Sequence, residues 1–452
     1  MIHGSHRRTA GRRQAHRHSI HAYELLKGAC CNMMQFTDEL LASFDSDVND
    51  TTVHQHRQLG LFSFTNEGSK QLAGGFFQAS LLPYLVFLYL LAYRGNRVPV
   101  VGNFGFQYLL LFVAMTIASG IAAKASYGYS LADVDWLHGL SESLLTVTNL
   151  LIVFGFNEAM TKPDPPSNMG CYMAVIYAAI CFVFVALGTT VFAYEEHSQL
   201  LGGFGNIPSD WTTHLPWRRH DEPVNALSIP TWMVHFSSVF ENLFAINLIW
   251  RYSTTSGNST FKGLTWAYLP LHGSAICAVT HHFFYNASEL LFLVTVQAFL
   301  TLLGNVTCMI AAFRIARSNG WTFAELATCN CGRSEGTDTS DEYREPLCLD
   351  GNGSSSSRLA VKLLVLVTVS SYLVKYGELG LDLPVNPNTN VALILIIGIP
   401  AISVLQYSIL SLPRFDTDSG THANETCKDT SNGAPELEEG SCDEETLLLR
   451  KS

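Results

Sequence analysis

Long apolar runs separated by short polar gaps organise this chain. Nine of them approach the roughly 20 residues that a helix needs to cross a bilayer. They fall at 72–93, 103–123, 136–160, 171–194, 230–250, 263–284, 289–313, 359–378 and 391–412. None alternates apolar and polar residues with period two, so strands of a membrane barrel are not expected. Three stretches carry no charge at all: between Val98 and Lys124, between Met169 and Glu195, and between Asn390 and Pro413. The eighth run is the most interrupted, by Lys362, Lys375 and Glu378. The pattern predicts an all-α polytopic transmembrane helical bundle of about nine spans.

The polar segments between these runs suggest the organisation. Residues 1–68 read as a basic, transit-like segment followed by a polar linker. Arg7, Arg8, Arg12, Arg13, Arg17 and Lys27 precede or flank the first acid, Glu24, and no apolar stretch of secretory type is present. A first membrane domain of four spans covers 72–194. An outer surface loop covers 195–228, and a second membrane domain of three spans covers 229–317. Residues 318–358 are rich in Ser, Gly, Asp and Glu and read as a disordered inner loop. A terminal span pair occupies 359–412, and an acidic, disordered tail occupies 413–452.

Composition fits a membrane protein. Of 452 residues, 48% are hydrophobic and 14% charged, where soluble chains carry about a quarter charged residues. The net charge of −11 comes largely from Asp38–Asp50 and the tail. An acidic balance argues against nucleic acid and leaves the lipid bilayer as the evident partner. With nine spans, alternate loops fall on alternate sides. One side receives Arg94, Arg97, Lys162, Arg251, Lys262, Arg314, Arg317, Arg333, Arg344, Arg358 and Arg414. The other receives Lys124, Arg218, Arg219 and Lys375. The richer side is expected to face cytosol, or stroma in a plastid.

That orientation places polar side chains by depth. Histidines and carboxylates inside a span are expensive and usually face a partner or a site. His138 and Glu142 are four residues apart near the outer start of span three and share a helix face. His235 lies about 7 Å below Pro230 at the outer start of span five, at about 1.5 Å per residue. Span six runs the other way, so His281 and His282 sit at its outer end and His272 near its middle. His138, Glu142, His235, His281 and His282 therefore form a constellation at one depth. Imidazole with carboxylate suits a transition metal, an axial ligand position for haem or chlorophyll, or a proton relay. An interfacial histidine satisfied by water or a carbonyl is the plainer alternative for each one singly.

Other chemistry is poorly represented. The histidines lack the repeated boxes of membrane desaturases, and no HExxH, GxSxG or P-loop pattern occurs. Cys329, Cys331 and Cys348 share one loop, but structural zinc usually wants paired CxxC units. Gly120, Gly139, Gly155, Gly273 and Gly304 read as close helix packing. Asn242, Gln297 and Asn305 read as interhelical hydrogen-bond partners.

The segments LSIPTWMVHFSSVFENLFAINLIWRY, KGLTWAYLPLHGSAICAVTHHFFYN and LVTVQAFLTLLGNVTCMIAAFRIAR resemble the hypothetical chloroplast reading frame forty-nine family, a domain of unknown function. The upstream blocks SLLPYLVFLYLL and AKASYGYSLADVDWLHGLSESLLTVTNLLIVFGF look like a companion plastid domain of unknown function. Together they cover 72–160 and 227–317. The family's His-x-Ser-Ser-Val-x-Glu-Trp pattern is kept at His235, Ser237, Ser238, Val239 and Glu241, with Asn242 in place of the Trp. The resemblance implies a multi-pass plastid membrane protein, in thylakoid or inner envelope, of a photosynthetic lineage; it supplies no catalytic residues. Two function classes stay open. One is a non-enzymatic protein supporting assembly or maintenance of photosynthetic membrane complexes, with a haem, chlorophyll or metal at the five-residue constellation. The other is a membrane enzyme or carrier for a lipid, isoprenoid or pigment.

Overall fold

A computed structural model of the chain describes residues 66–161, 169–192, 226–324, 356–381 and 387–411. Among these residues there are nine α-helices and no strands. They are α1 (Asn66–Leu91), α2 (Val100–Tyr127), α3 (Asp135–Thr161), α4 (Met169–Thr190), α5 (Ile229–Thr255), α6 (Phe261–Phe283), α7 (Phe292–Ser318), α8 (Ser356–Leu381) and α9 (Thr389–Ser411). The predicted architecture and the observed one agree, and each helix contains or closely follows one of the nine apolar runs. Most of the segment 1–68, residues 195–225 of the outer loop, residues 325–355 of the inner loop with Cys329, Cys331 and Cys348, and the acidic tail lie outside the described residues.

Seven of the nine helices are long and apolar enough to cross a membrane: α1, α2, α3, α4, α7, α8 and α9. The interrupted eighth run is one of them. The two that fall short are α5 and α6, which are as long as the others. The physical reason lies in their sequences. α5 carries His235, Glu241 and Asn242, and α6 carries His272, His281 and His282, all buried. These helices face protein rather than lipid, so they do not need an apolar circumference. α4 and α9 show the opposite: their outward Ile176, Ile180, Val183, Ile394, Ile397 and Ile402 are exposed, as lipid-facing residues must be.

Helix contacts follow a closed order in the unit that extends to Tyr407. α1 packs on α7, α7 on α6, α6 on α5, α5 on α3 and α3 on α2, and α2 touches α1 again. α4 lies on α2 and α3, and α8 on α5 and α3. From Ser408 onward the chain forms a second unit, of which the last turn of α9 is described, with Ser411 Oγ bonded to the Ser408 carbonyl at 2.8 Å.

An aromatic core fills one half of the first unit. Phe87 meets Phe106 edge to face at 5.3 Å, and Phe106 meets Phe156 and Tyr268 at 6.5 and 6.1 Å. Phe156 and Phe261 each meet Tyr252 at 5.2 Å. Phe87 and Phe106 come from α1 and α2, and the other rings from the C-terminal ends of α3 and α5 and the first half of α6, so α3, α5 and α6 are joined here. Such edge-to-face pairs add to the packing energy of the buried rings. The same three helices carry histidines at their opposite ends. Some buried polar groups elsewhere are bonded between helices: Tyr84 donates to the Phe106 carbonyl at 2.6 Å, and Asn305 Nδ2 to the Ser80 carbonyl at 3.0 Å. The second bond gives Asn305 the interhelical role expected of it.

Close packing depends on particular glycines. A Cβ on Gly155 would lie 2.2 Å from the Gly102 backbone nitrogen, so α2 and α3 cross backbone on backbone there. A Cβ on Gly304 would lie 2.5 Å from Leu271, between α7 and α6. Gly120 differs from expectation: nothing lies within 4 Å of its Cβ position, because it does not face a neighbouring helix at close range.

Two outcomes follow from this packing. Gly155→Ala is expected to destabilise the detergent-solubilised chain by about 1–3 kcal/mol through a backbone clash. Gly120→Ala is expected to stabilise it by about 0.5–1 kcal/mol through reduced chain entropy; thermal unfolding of both variants checks the contrast. Lys375 of α8, buried, donates to the Leu227 carbonyl just before α5 at 2.7 Å. Lys375→Met should cost about 1.5–3 kcal/mol, the value of a hydrogen bond to a charged group, read in the same measurement.

Candidate functional site

The polar end of the bundle is assembled by a few hydrogen bonds between distant parts of the chain. Asp135 opens α3, and its Oδ1 accepts the backbone N–H of Ser228 at 2.9 Å. Ser228 is the residue before α5, and its hydroxyl lies 3.1 Å from that of Thr231 in the first turn. The N-termini of α3 and α5 are thereby held side by side. α6 runs the opposite way and ends at the same level. Beyond it, Tyr285 and Asn286 take left-handed backbone conformations, φ 49° and 57°. That turn aims Asn286 Nδ2 at the Ala132 carbonyl (3.2 Å) and Asp133 Oδ1 (2.9 Å), in the turn that leads into α3.

Three histidines meet as a result. His138 lies in the first turn of α3, His235 in the second turn of α5 and His282 in the last turn of α6. Their ring centroids are 4.9 Å (His138–His235), 4.8 Å (His138–His282) and 4.6 Å (His235–His282) apart. One nitrogen from each ring can be chosen so that all three lie within 4.8 Å of one another. The rings are 4%, 5% and 7% exposed, so bulk water does not separate them.

The remaining ring atoms indicate how these groups are oriented. His138 Nδ1 lies 3.4 Å from the Ala132 carbonyl, a long contact that suits a proton on Nδ1 and a lone pair on Nε2. A histidine ligand commonly donates its other nitrogen to a carbonyl in this way, which fixes the tautomer. His235 Nε2 and His282 Nδ1 are buried with no protein hydrogen-bond partner among the described residues.

The other expected site residues are placed differently. His281 is buried beside His282, ring centroids 6.1 Å apart, and does not join the three-nitrogen set. Glu142, one turn beyond His138, is half-buried and also outside the set. Two further buried groups stand on the same helices. Glu241 Oε1 accepts from the Ser237 hydroxyl at 2.5 Å, while its Oε2 has no protein partner among the described residues. Both ring nitrogens of His272 are likewise without one. Asp133, Asp135 and Asn286 were not signalled by any spacing in the sequence.

Three converging imidazoles with no thiolate or carboxylate among them are a ligand set for a first-row transition ion such as zinc or copper. At metal–nitrogen distances of about 2.0–2.1 Å, tetrahedral ligands stand about 3.3 Å apart. Nitrogens within 4.8 Å therefore need to close by up to about 1.5 Å to reach that spacing, a movement that ring rotation and small helix shifts supply. Haem or chlorophyll takes its axial histidine from one face, or one from each face. Three rings aimed at one point fit a single ion better.

Comparison with known proteins agrees with the early resemblance. Residues 226–314 match a family model described as Protein of unknown function (DUF2499), and residues 73–161 one described as Protein of unknown function (DUF3593). A "Ycf49-like protein" of Synechocystis is 52% identical over 96 residues, which is 21% of this chain and 92% of that protein. An "Uncharacterized protein ycf49" of Cyanophora paradoxa is 42% identical over 84 residues, 19% of this chain and 82% of that protein. No solved structure matches the chain significantly. These relatives, with helices suited to membrane spans, support a plastid membrane protein. Identity of this level over nearly the whole length of a relative reflects common descent, and the chain belongs to the Ycf49 family.

Proposed function

We propose that this chain is a plastid membrane protein that holds one transition-metal ion on His138, His235 and His282, in support of the assembly or maintenance of photosynthetic membrane complexes. The observation that carries the ion site is the convergence of three buried imidazoles from three helices, with ring nitrogens within 4.8 Å. Buried polar groups are normally bonded, and the unbonded His235 Nε2 and His282 Nδ1 beside the His138 ring are poor packing unless something is held between them. Membership in a family with cyanobacterial and algal relatives supports the photosynthetic setting. The ligand set provides a site with an open fourth position, which suits storage, delivery or Lewis-acid use of the ion. The same setting supports a thylakoid or inner-envelope location as part of this reading.

A second reading, a membrane enzyme or carrier for a lipid, isoprenoid or pigment, draws on Glu241 and His272. These groups extend the polar interior deeper along α5 and α6. They would supply a proton donor and acceptor to a bound molecule.

The test is metal analysis of the full chain purified in mild detergent, with an absorption spectrum. One equivalent of zinc, copper or iron is expected. His138→Ala, His235→Ala and His282→Ala should each lower occupancy at least tenfold, while His281→Ala retains the ion. A protein that stays metal-free after loading with each of these ions would overturn the proposal. A stoichiometric haem or chlorophyll spectrum would replace the ion with a pigment. Co-migration with a photosystem or cytochrome complex on a native gel is expected, and its absence from thylakoid and envelope fractions would contradict the photosynthetic role.

A further inference from the structure

The three candidate ligands do not belong to one segment of the chain. His138 lies in the first matched segment, 73–161, and His235 and His282 lie in the second, 226–314. The segments meet along two seams, α3 on α5 and α1 on α7. The Synechocystis relative is matched over 92% of its length by 96 residues, so it is too short to hold both segments. A relative of that length has room for one such segment, and this chain carries both.

The seam beside the histidines is tied from both sides. Asp135 of the first segment accepts from Ser228 of the second at 2.9 Å. Asn286 of the second donates to Asp133 and the Ala132 carbonyl of the first at 2.9 and 3.2 Å. The Ala132 carbonyl is also the contact of His138 Nδ1 at 3.4 Å. Asn286 therefore touches the group that orients one ligand while sitting four residues from another. It holds a left-handed φ of 57° to do so, a conformation that asparagine tolerates better than most residues.

We infer that the ion acts as a clamp between the two segments, taking one ligand from the first and two from the second, with Asn286 as the positioning residue that keeps the half-sites in register. The inference rests on the ion-binding reading above. The geometry gives it a mechanical consequence. Nitrogens up to 4.8 Å apart must approach to about 3.3 Å around a tetrahedral ion. Two of the three distances that close run across the seam between α3 and the α5–α6 pair. Ion binding is then coupled to how tightly the segments are held together, and neither segment alone offers three ligands.

The test uses the full chain in detergent with cobalt(II) as a spectroscopic stand-in for the ion. The d–d absorption of cobalt reports ligand number, and hydrogen exchange reports tightening of the seam. In the unaltered chain, cobalt is expected to slow exchange on both sides, at the start of α3 and around the end of α6. In His138→Ala, the cobalt spectrum should change, affinity should fall at least tenfold, and protection on the α3 side should vanish. Asn286→Ala should weaken affinity about 10–100-fold, the usual effect of losing an outer-shell partner. Its cobalt spectrum at saturation should match that of the unaltered chain, because the ligands remain. Equal affinity in His138→Ala, or protection confined to the second segment, would overturn the clamp while leaving ion binding intact. A chain that takes up no cobalt, zinc or copper would overturn the ion reading, and the clamp with it.

Discussion

Burying imidazole inside a membrane bundle is the constraint on which this structure turns. Lipid offers no hydrogen bonds, so each polar side chain in a span must face protein or a bound group. Three of the histidines solve this by facing one another, and α3, α5 and α6 are arranged around that solution. The helices that carry the ring cluster are the interior ones. Those with exposed apolar faces, α4 and α9, lie where no such residue exists. The aromatic core at the far end of α3, α5 and α6 fixes their mutual positions by packing. Asp135, Ser228 and Asn286 fix the near end by hydrogen bonds.

The division of labour between the two ends has a simple energetic logic. Edge-to-face aromatics tolerate no water and define a unique close-packed arrangement. With that end fixed, the polar end keeps groups whose bonding is incomplete within the protein, such as His235 Nε2, His282 Nδ1 and Glu241 Oε2. Incomplete bonding of buried groups costs stability and is therefore a mark of function more than of folding. Backbone contact of Gly155 with Gly102 belongs to the packed part and holds α3 to α2.

Much of this was legible in the chain. Nine apolar runs gave nine helices, and depth reckoned from loop charges put His138, His235 and His282 at one level. Depth alone could not separate these from His281 and Glu142, because it says nothing about the direction a side chain takes around its helix. Which helices pair was equally hidden: α3 meets α5 across a separation of about ninety residues through a bond between Asp135 and Ser228, and neither residue stands out in sequence. The turn at Asn286 depends on a positive φ that the HHFFYN run does not announce. Gly120 looked like Gly155 on paper, yet only one of them touches another backbone. α5 and α6 were read as spans whose polar groups face a partner or a site, and those groups are buried.

X-ray absorption at the metal edge of the full chain, loaded with zinc or copper in mild detergent, tests the central claim most directly. The account predicts a first shell of three imidazole nitrogens at about 2.0–2.1 Å, with the outer-ring scattering of histidine and one lighter ligand or none in the fourth position. A first shell of sulfur, a shell of water oxygens without imidazole scattering, or no bound metal at all would contradict it.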